Sequence, residues 1–199
     1  MPIVKRSFLT IAFLVFAGGV LMSSGCGQQQ CAVKGDPEAL IGGAYTAIDH
    51  HGDHVSSDLY LGQYQLVFFG FTFCPDVCPT ALVNISATLD DLGDDAAHFQ
   101  TLFVSIDPER DTPDVMAEYL SNFHPSFVGL TGSAAQIKDL AHVYRAYYAR
   151  GASADTDDAD YTMDHSSIIY LLDCEGRYIK HFDHNTSVET LTRTLSEMI

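Results

Sequence analysis

Phe68-Phe69-Gly70-Phe71-Thr72-Phe73-Cys74-Pro75-Asp76-Val77-Cys78-Pro79 joins an apolar run to two cysteines four positions apart. Leu66 to Phe71 is nearly unbroken hydrophobe with β-forming aromatics, the pattern of a strand buried on both faces. Pro79 suits the first position of a helix, where a missing N–H costs nothing. Leu82, Ile85, Leu89 and Leu92 then recur at helical spacing. Cys74 therefore falls on the strand-to-helix turn and Cys78 at the helix N-terminus, where the positive end of the helix dipole favours a thiolate.

The spacing of the two sulfurs leaves two chemistries open. Helical residues at i and i+4 hold their Cβ atoms roughly 5–6 Å apart, whereas a relaxed disulfide wants about 3.8 Å. Bending at Pro75-Asp76 could close the gap. A metal with bonds of about 2.3 Å to each sulfur spans it with less adjustment. The pair is thus able to form a disulfide and slightly better placed for chelation. A Cys-x-x-Cys redox pair has one residue fewer between its thiols. A plain structural disulfide is the competing reading, but the carboxyl end of a strand is where open α/β sheets place their sites.

Working outward, Thr101 to Ile106 is a second continuous apolar run and so a second buried strand. Thr112 and Pro113 start a helix through about Asn122 as N-cap and first residue. Asp107, Arg110 and Asp111, just before it, read as capping plus a local ion pair. Phe127 to Leu130 is a short strand. Ser133-x-x-Gln136 is a capping box for a helix carrying Ile137, Leu140, Ala141, Tyr144 and Tyr148. Gly151 to Asp160 is an acidic loop that delivers Tyr161-Thr162-Met163-Asp164-His165-Ser166. A hairpin of Ile168–Leu172 and Arg177–Phe182 follows, and Ser187 caps a last helix. Upstream, 44–55 reads as a hairpin with a Gly-bearing turn. Its His50, His51 and His54 could bind a metal, but a solvated hairpin tip is the simpler account. Strands alternating with helices make this an α/β fold.

At the N-terminus, Lys5 and Arg6 precede an apolar run from Phe8 to Met22, short for a membrane span and of the right length for a signal peptide. Ser23-Ser24-Gly25-Cys26 resembles a bacterial lipoprotein cleavage box, with Cys26 as the lipid-bearing residue, although Ser23 stands where such boxes carry an aliphatic. An uncleaved anchor is the rival, and a cleaved signal the third option. The expected division is 1–25 signal peptide or anchor, 26–40 linker, and 41–199 a single domain. The net charge is −16. Removing residues 1–25 deletes Lys5 and Arg6 and no acid, leaving −18. No basic patch exists for a nucleic-acid backbone, so no nucleic-acid partner is expected.

Four blocks taken together carry a resemblance: Phe69-Gly70-Phe71-Thr72-Phe73-Cys74-Pro75-Asp76-Val77-Cys78-Pro79, Asp107-Pro108-Glu109-Arg110-Asp111-Thr112-Pro113, Gly129-Leu130-Thr131-Gly132 and Met163-Asp164-His165-Ser166. In this order they resemble the Sco/SenC family of copper chaperones, from about Ile41 to the C-terminus. The resemblance implies a thioredoxin-like sheet with flanking helices and an N-terminal β-hairpin. It implies copper ligation by Cys74, Cys78 and His165. Two thiolates and an imidazole suit Cu(I); Cu(II) is the other oxidation state to consider. From the residues alone His165 stays open between a structural and a ligating role. Asp76 and Asp164 flank ligands and are assigned to tuning them or to partner contact rather than to ligation. Cys31 and Cys174 depart from the common pattern. They could pair in an oxidising compartment, or Cys174 could be a small buried hydrophobe.

The resemblance implies delivery of copper to the dinuclear copper site of cytochrome c oxidase subunit II, with a copper donor protein upstream; the N-terminal segment, read as lipoprotein signal or anchor, puts the domain on the periplasmic side of a bacterial membrane and tethers it there. Thiol–disulfide reduction of that subunit's cysteines by Cys74 and Cys78 is the alternative. The first role needs His165 and the second does not. A copper or redox sensor is a third class, for which the sequence holds no specific signal.

Overall fold

A computed structural model describes residues 31–151 and 161–199. Residues 1–30, with the apolar run and Cys26, and most of the acidic loop, residues 152–160, lie outside the described part. Among the described residues no helix is long and apolar enough to cross a membrane.

The run around Phe68 is the central strand. β3 (Tyr64–Gly70) is buried along its whole length, as a strand covered on both faces must be. It pairs in parallel with β4 (Phe99–Ser105), Gly70 opposite Ser105, and β4 pairs in parallel with β5 (Phe127–Thr131). On its other side β3 runs antiparallel to β8 (Ile168–Leu172), which forms a hairpin with β9 (Tyr178–Asp183). The upstream hairpin, β1 (Thr46–Asp49) and β2 (His54–Ser56), adds antiparallel to β5. The resulting seven-stranded sheet has the order β2-β1-β5-β4-β3-β8-β9.

Alternation along β3 serves both faces of the sheet. Phe68 stacks with Phe103, which meets Tyr119. Phe69 points the other way and meets Tyr144 and Tyr170. Among the described residues four α-helices flank the sheet: α1 (Val77–Leu92), α2 (Pro113–Leu120), α3 (Ala134–Val143) and α4 (Val188–Ser196). Thr112 and Ser187 cap α2 and α4, and Ser133 with Gln136 forms the capping box of α3, each where the sequence places it. This is the thioredoxin-like arrangement, with the N-terminal hairpin on one sheet edge.

Two boundaries differ from the sequence reading. α1 begins at Val77, two residues before Pro79. Pro79 is still within the first turn, where helical N–H groups lack partners, so its missing donor remains harmless. α3 stops at Val143, and Arg145 adopts a positive φ of 53°. The chain therefore leaves the helix before Tyr148, which belongs instead to β6 (Tyr148–Arg150). This strand pairs antiparallel with β7 (Met163–His165) in a separate two-stranded ribbon. That ribbon, not a loop, carries His165.

Candidate metal centre

Gly70 ends β3, and the chain turns through Thr72 and Phe73 to reach Cys74 before α1 starts at Val77. The two sulfurs lie beyond the carboxyl ends of the parallel strands β3 and β4, the usual position of sites in such sheets. The Cys78 backbone N–H donates to the Cys74 sulfur at 3.3 Å. Cys78 is buried and Cys74 half-buried, and both thiols are free.

His165 arrives from β7. Its Nε2 is 3.5 Å from the Cys78 sulfur, and its Nδ1 is 3.2 Å from the Ser166 carbonyl oxygen. A carbonyl only accepts, so Nδ1 carries the ring hydrogen and Nε2 turns its lone pair towards the cysteines. The rings of Phe68 and Phe71 meet the imidazole edge to face. The ligating atoms of Cys74, Cys78 and His165 all lie within 4.8 Å of one another, and they form the one such group of three among the described residues.

The two thiols differ in ionisation. The Cys78 thiol donates towards Cys74 and, with the backbone N–H groups of Cys78 and Asp76, pulls the Cys74 pKa down to about 4, against an opposing push from burial. Cys78 moves the other way, because it shares the proton with Cys74 and is itself buried. The resting pair is thus one thiolate and one thiol holding a single proton between them. A soft cation would displace that proton and convert both sulfurs to ligands.

The remaining sequence candidates divide plainly. Asp76 and Asp164 are exposed, and neither carboxylate joins the three-residue group. His50 accepts from the Gly129 N–H through Nδ1 at 3.1 Å, and its ring lies 4.0 Å from that of His51. No metal-binding group of three forms around His50, His51 and His54 among the described residues. Cys31 and Cys174 are joined in a disulfide with Cα atoms 5.6 Å apart.

Other site residues escape the sequence reading. A Cβ added to Gly70 would lie 2.6 Å from the Cys78 sulfur and 2.8 Å from the Phe103 ring, so only glycine lets α1 bring Cys78 onto the strand. Asp107 and Arg110 form the expected ion pair. Asp111 does not cap α2. It is fully buried and accepts from the Thr72 hydroxyl at 2.6 Å, the Thr72 N–H at 3.1 Å and the Ser105 hydroxyl at 2.6 Å. These bonds offset the burial of its carboxyl group, whose pKa is nevertheless raised by desolvation. They fix the turn that presents Cys74 to the end of β4. Nothing in the local spacing distinguishes such a buried aspartate from a helix-start one; only the folded register brings Thr72 and Ser105 to it.

Comparison with known proteins places this geometry. The family model SCO1/SenC matches residues 33–199. A SCO2-like protein of Rickettsia prowazekii is 46% identical over 142 residues, covering 71% of this chain and 69% of that protein. The human mitochondrial Protein SCO1 homolog is 39% identical over 148 residues, covering 73% of this chain and 48% of the relative. Among solved structures, Bradyrhizobium japonicum ScoI with copper bound superposes with a TM-score of 0.73 at 42% identity, covering 80% of this chain and 99% of that one. The chain belongs to the SCO1/SenC family.

Proposed function

We propose that this protein is a copper metallochaperone that binds one Cu(I) through Cys74, Cys78 and His165. On this reading it delivers copper to the dinuclear site of cytochrome c oxidase subunit II and is loaded by a copper donor protein. The observation that carries the proposal is the convergence of two sulfurs and one imidazole nitrogen within 4.8 Å at the end of the central strand. Thiolate sulfur and imidazole are the donor types that favour Cu(I) over hard cations. Relatives with copper bound, such as Bradyrhizobium japonicum ScoI, support the same choice.

The test is titration of the full chain, in detergent, with Cu(I) against a chromophoric chelator. Wild type takes up one equivalent. Cys74→Ser and Cys78→Ser lose tight binding, because a hydroxyl is a hard, neutral ligand. His165→Ala binds more weakly but still forms the Cys74–Cys78 disulfide. The low pKa of Cys74 beside a buried Cys78 favours a second reading, reduction of the client's cysteines. Cells decide between them. If His165→Ala cells assemble a fully metallated oxidase and Cys74→Ser cells do not, the protein is a reductase.

We place the domain on the periplasmic side of a bacterial membrane, tethered by lipid at Cys26 or by an uncleaved N-terminal segment. The motivation is Lys5-Arg6, the apolar run and Gly25-Cys26. Mass spectrometry of membrane-extracted protein should show residues 1–25 removed and a diacylglyceryl group at Cys26. A chain beginning at Met1 or Pro2 would select the uncleaved anchor.

A further inference from the structure

Arg110 lies in the turn between β4 and α2, outside the three-residue group, yet it touches both halves of the centre. Its guanidinium carbon is 4.7 Å from the centroid of the Phe73 ring and 5.8 Å from that of Phe71, both in the cysteine turn. The same guanidinium lies 3.6 Å over the Tyr161 ring and donates to the Tyr161 carbonyl oxygen at 2.9 Å. Tyr161 is on the chain segment that enters β7, four residues before His165. Asp107 closes the arrangement, taking the Arg110 ion pair on one carboxylate oxygen and the Tyr161 hydroxyl on the other. Arg150 of β6 covers the Tyr161 ring at 3.7 Å.

This cluster has no part in starting α2, since Thr112 supplies the cap. It is also largely withdrawn from solvent: the Asp107 side chain is 4% exposed and that of Arg110 14%. Burying an ion pair gains little unless its hydrogen bonds are satisfied, and here each oxygen of Asp107 has a partner. The cluster meets a need that the topology creates. Cys74 is carried by the turn that leaves β3 and Cys78 by α1. His165 comes from a two-stranded ribbon that forms a sheet of its own, and two-stranded ribbons are marginal by themselves. β8 begins three residues after His165 and pairs with β3, so the main sheet fixes the chain that leaves β7; among the described residues β7 itself pairs only with β6, and the chain that enters it, where Tyr161 lies, is left to side-chain contacts.

We infer that Arg110 is a positioning residue which, clamped by Asp107 and stacked on Tyr161 and Phe73, locks the His165 ribbon onto the cysteine turn and so sets copper affinity through His165. This rests on the copper reading above for its affinity arm only. Its planar fork is the requirement, because a lysine can hold neither the flat stack nor the two directed bonds.

The experiment is a double-mutant cycle on Cu(I) affinity in the full chain, paired with amide hydrogen exchange of the metal-free protein. Arg110→Ala and Arg110→Lys should each weaken Cu(I) binding by about 10- to 100-fold, the usual cost of losing a group that orients a ligand. In a His165→Ala background the same changes should cost nothing further. Tyr161→Phe, which keeps the ring and loses only the bond to Asp107, should shift affinity in the same direction by less. Without copper, Arg110→Ala should speed exchange at the ribbon amides of Gly151 and Ser166, which bond to Thr162 and Tyr147, and leave those of α1 unchanged. Full affinity in Arg110→Lys would reduce the role to charge and overturn the clamp. An equal loss in both His165 backgrounds, or unchanged exchange at Gly151 and Ser166, would overturn it as well. If wild type binds no Cu(I), the copper reading fails, and the exchange measurement alone decides the clamp.

Discussion

At the residue scale the centre is asymmetric, and the asymmetry gives each cysteine a separate task. Cys74 is half-exposed and accepts the Cys78 N–H in the first turn of α1, while Cys78 sits against Gly70 in the core. On the function proposed here the attacking or metal-capturing sulfur is Cys74, and Cys78 is the proton holder that completes the pair. The thiolate is the reactive form of cysteine, so reactivity falls only as pH drops through the folded pKa. For Cys74 that value is about 4, against about 8.5 for a free thiol. In the reduced, metal-free protein, iodoacetamide should thus modify Cys74 at pH 5 to 7 while Cys78 stays protected. The alkylation rate followed by peptide mass spectrometry should lose half its plateau near the Cys74 pKa. A midpoint near that of a free thiol would mean that Cys78 and the helix N-terminus do not stabilise the anion.

At the element scale the sequence is informative where one element decides its own shape. The buried strands β3 and β4 are readable as apolar runs, and α2, α3 and α4 start where Thr112, Ser133 and Ser187 can cap them. The cysteine turn follows, because a strand and a helix flank it. The β6–β7 ribbon is not readable. Tyr144 and Tyr148 keep helical spacing, and no glycine or proline marks the exit from α3; Arg145 makes the turn with a positive φ that its side chain does not advertise. Three-residue strands also fall below what periodicity can detect. The same limit hides Asp111 and Arg110. Their chemistry is visible in Asp107-Pro108-Glu109-Arg110-Asp111, but their partners Thr72, Phe73 and Tyr161 are distant in sequence and meet them only through parallel pairing of β3 with β4 and the return of the ribbon. The family resemblance implies a ligand role for His165, whereas its spacing alone does not separate it from a structural histidine.

At the scale of the whole molecule, the Cys31–Cys174 disulfide joins the beginning of the described chain to the β8–β9 turn across 143 residues. It does not act alone. The Val33 N–H donates to the Tyr64 hydroxyl, which in turn donates to the Met198 carbonyl. The Gly35 N–H donates to Asp173, and Lys34 pairs with Glu175. Residues 31–36 are therefore fastened beside the start of β3, whereas Cys74 lies beyond its other end at Gly70. The fastening and the metal centre occupy opposite ends of one rigid strand, so the first should set stability without setting copper affinity. A crosslink closing so long a loop restricts the unfolded chain strongly, and loss of a native disulfide costs about 2–5 kcal/mol. The paired variant Cys31→Ser/Cys174→Ser should lose that much in urea unfolding. It should also show a steeper denaturant dependence, because the uncrosslinked unfolded chain exposes more surface. Its Cu(I) affinity, measured below the new unfolding midpoint, should equal that of wild type. A matching loss of affinity would show that strain passes along β3 from Tyr64 to Gly70, and that the two ends are one cooperative unit.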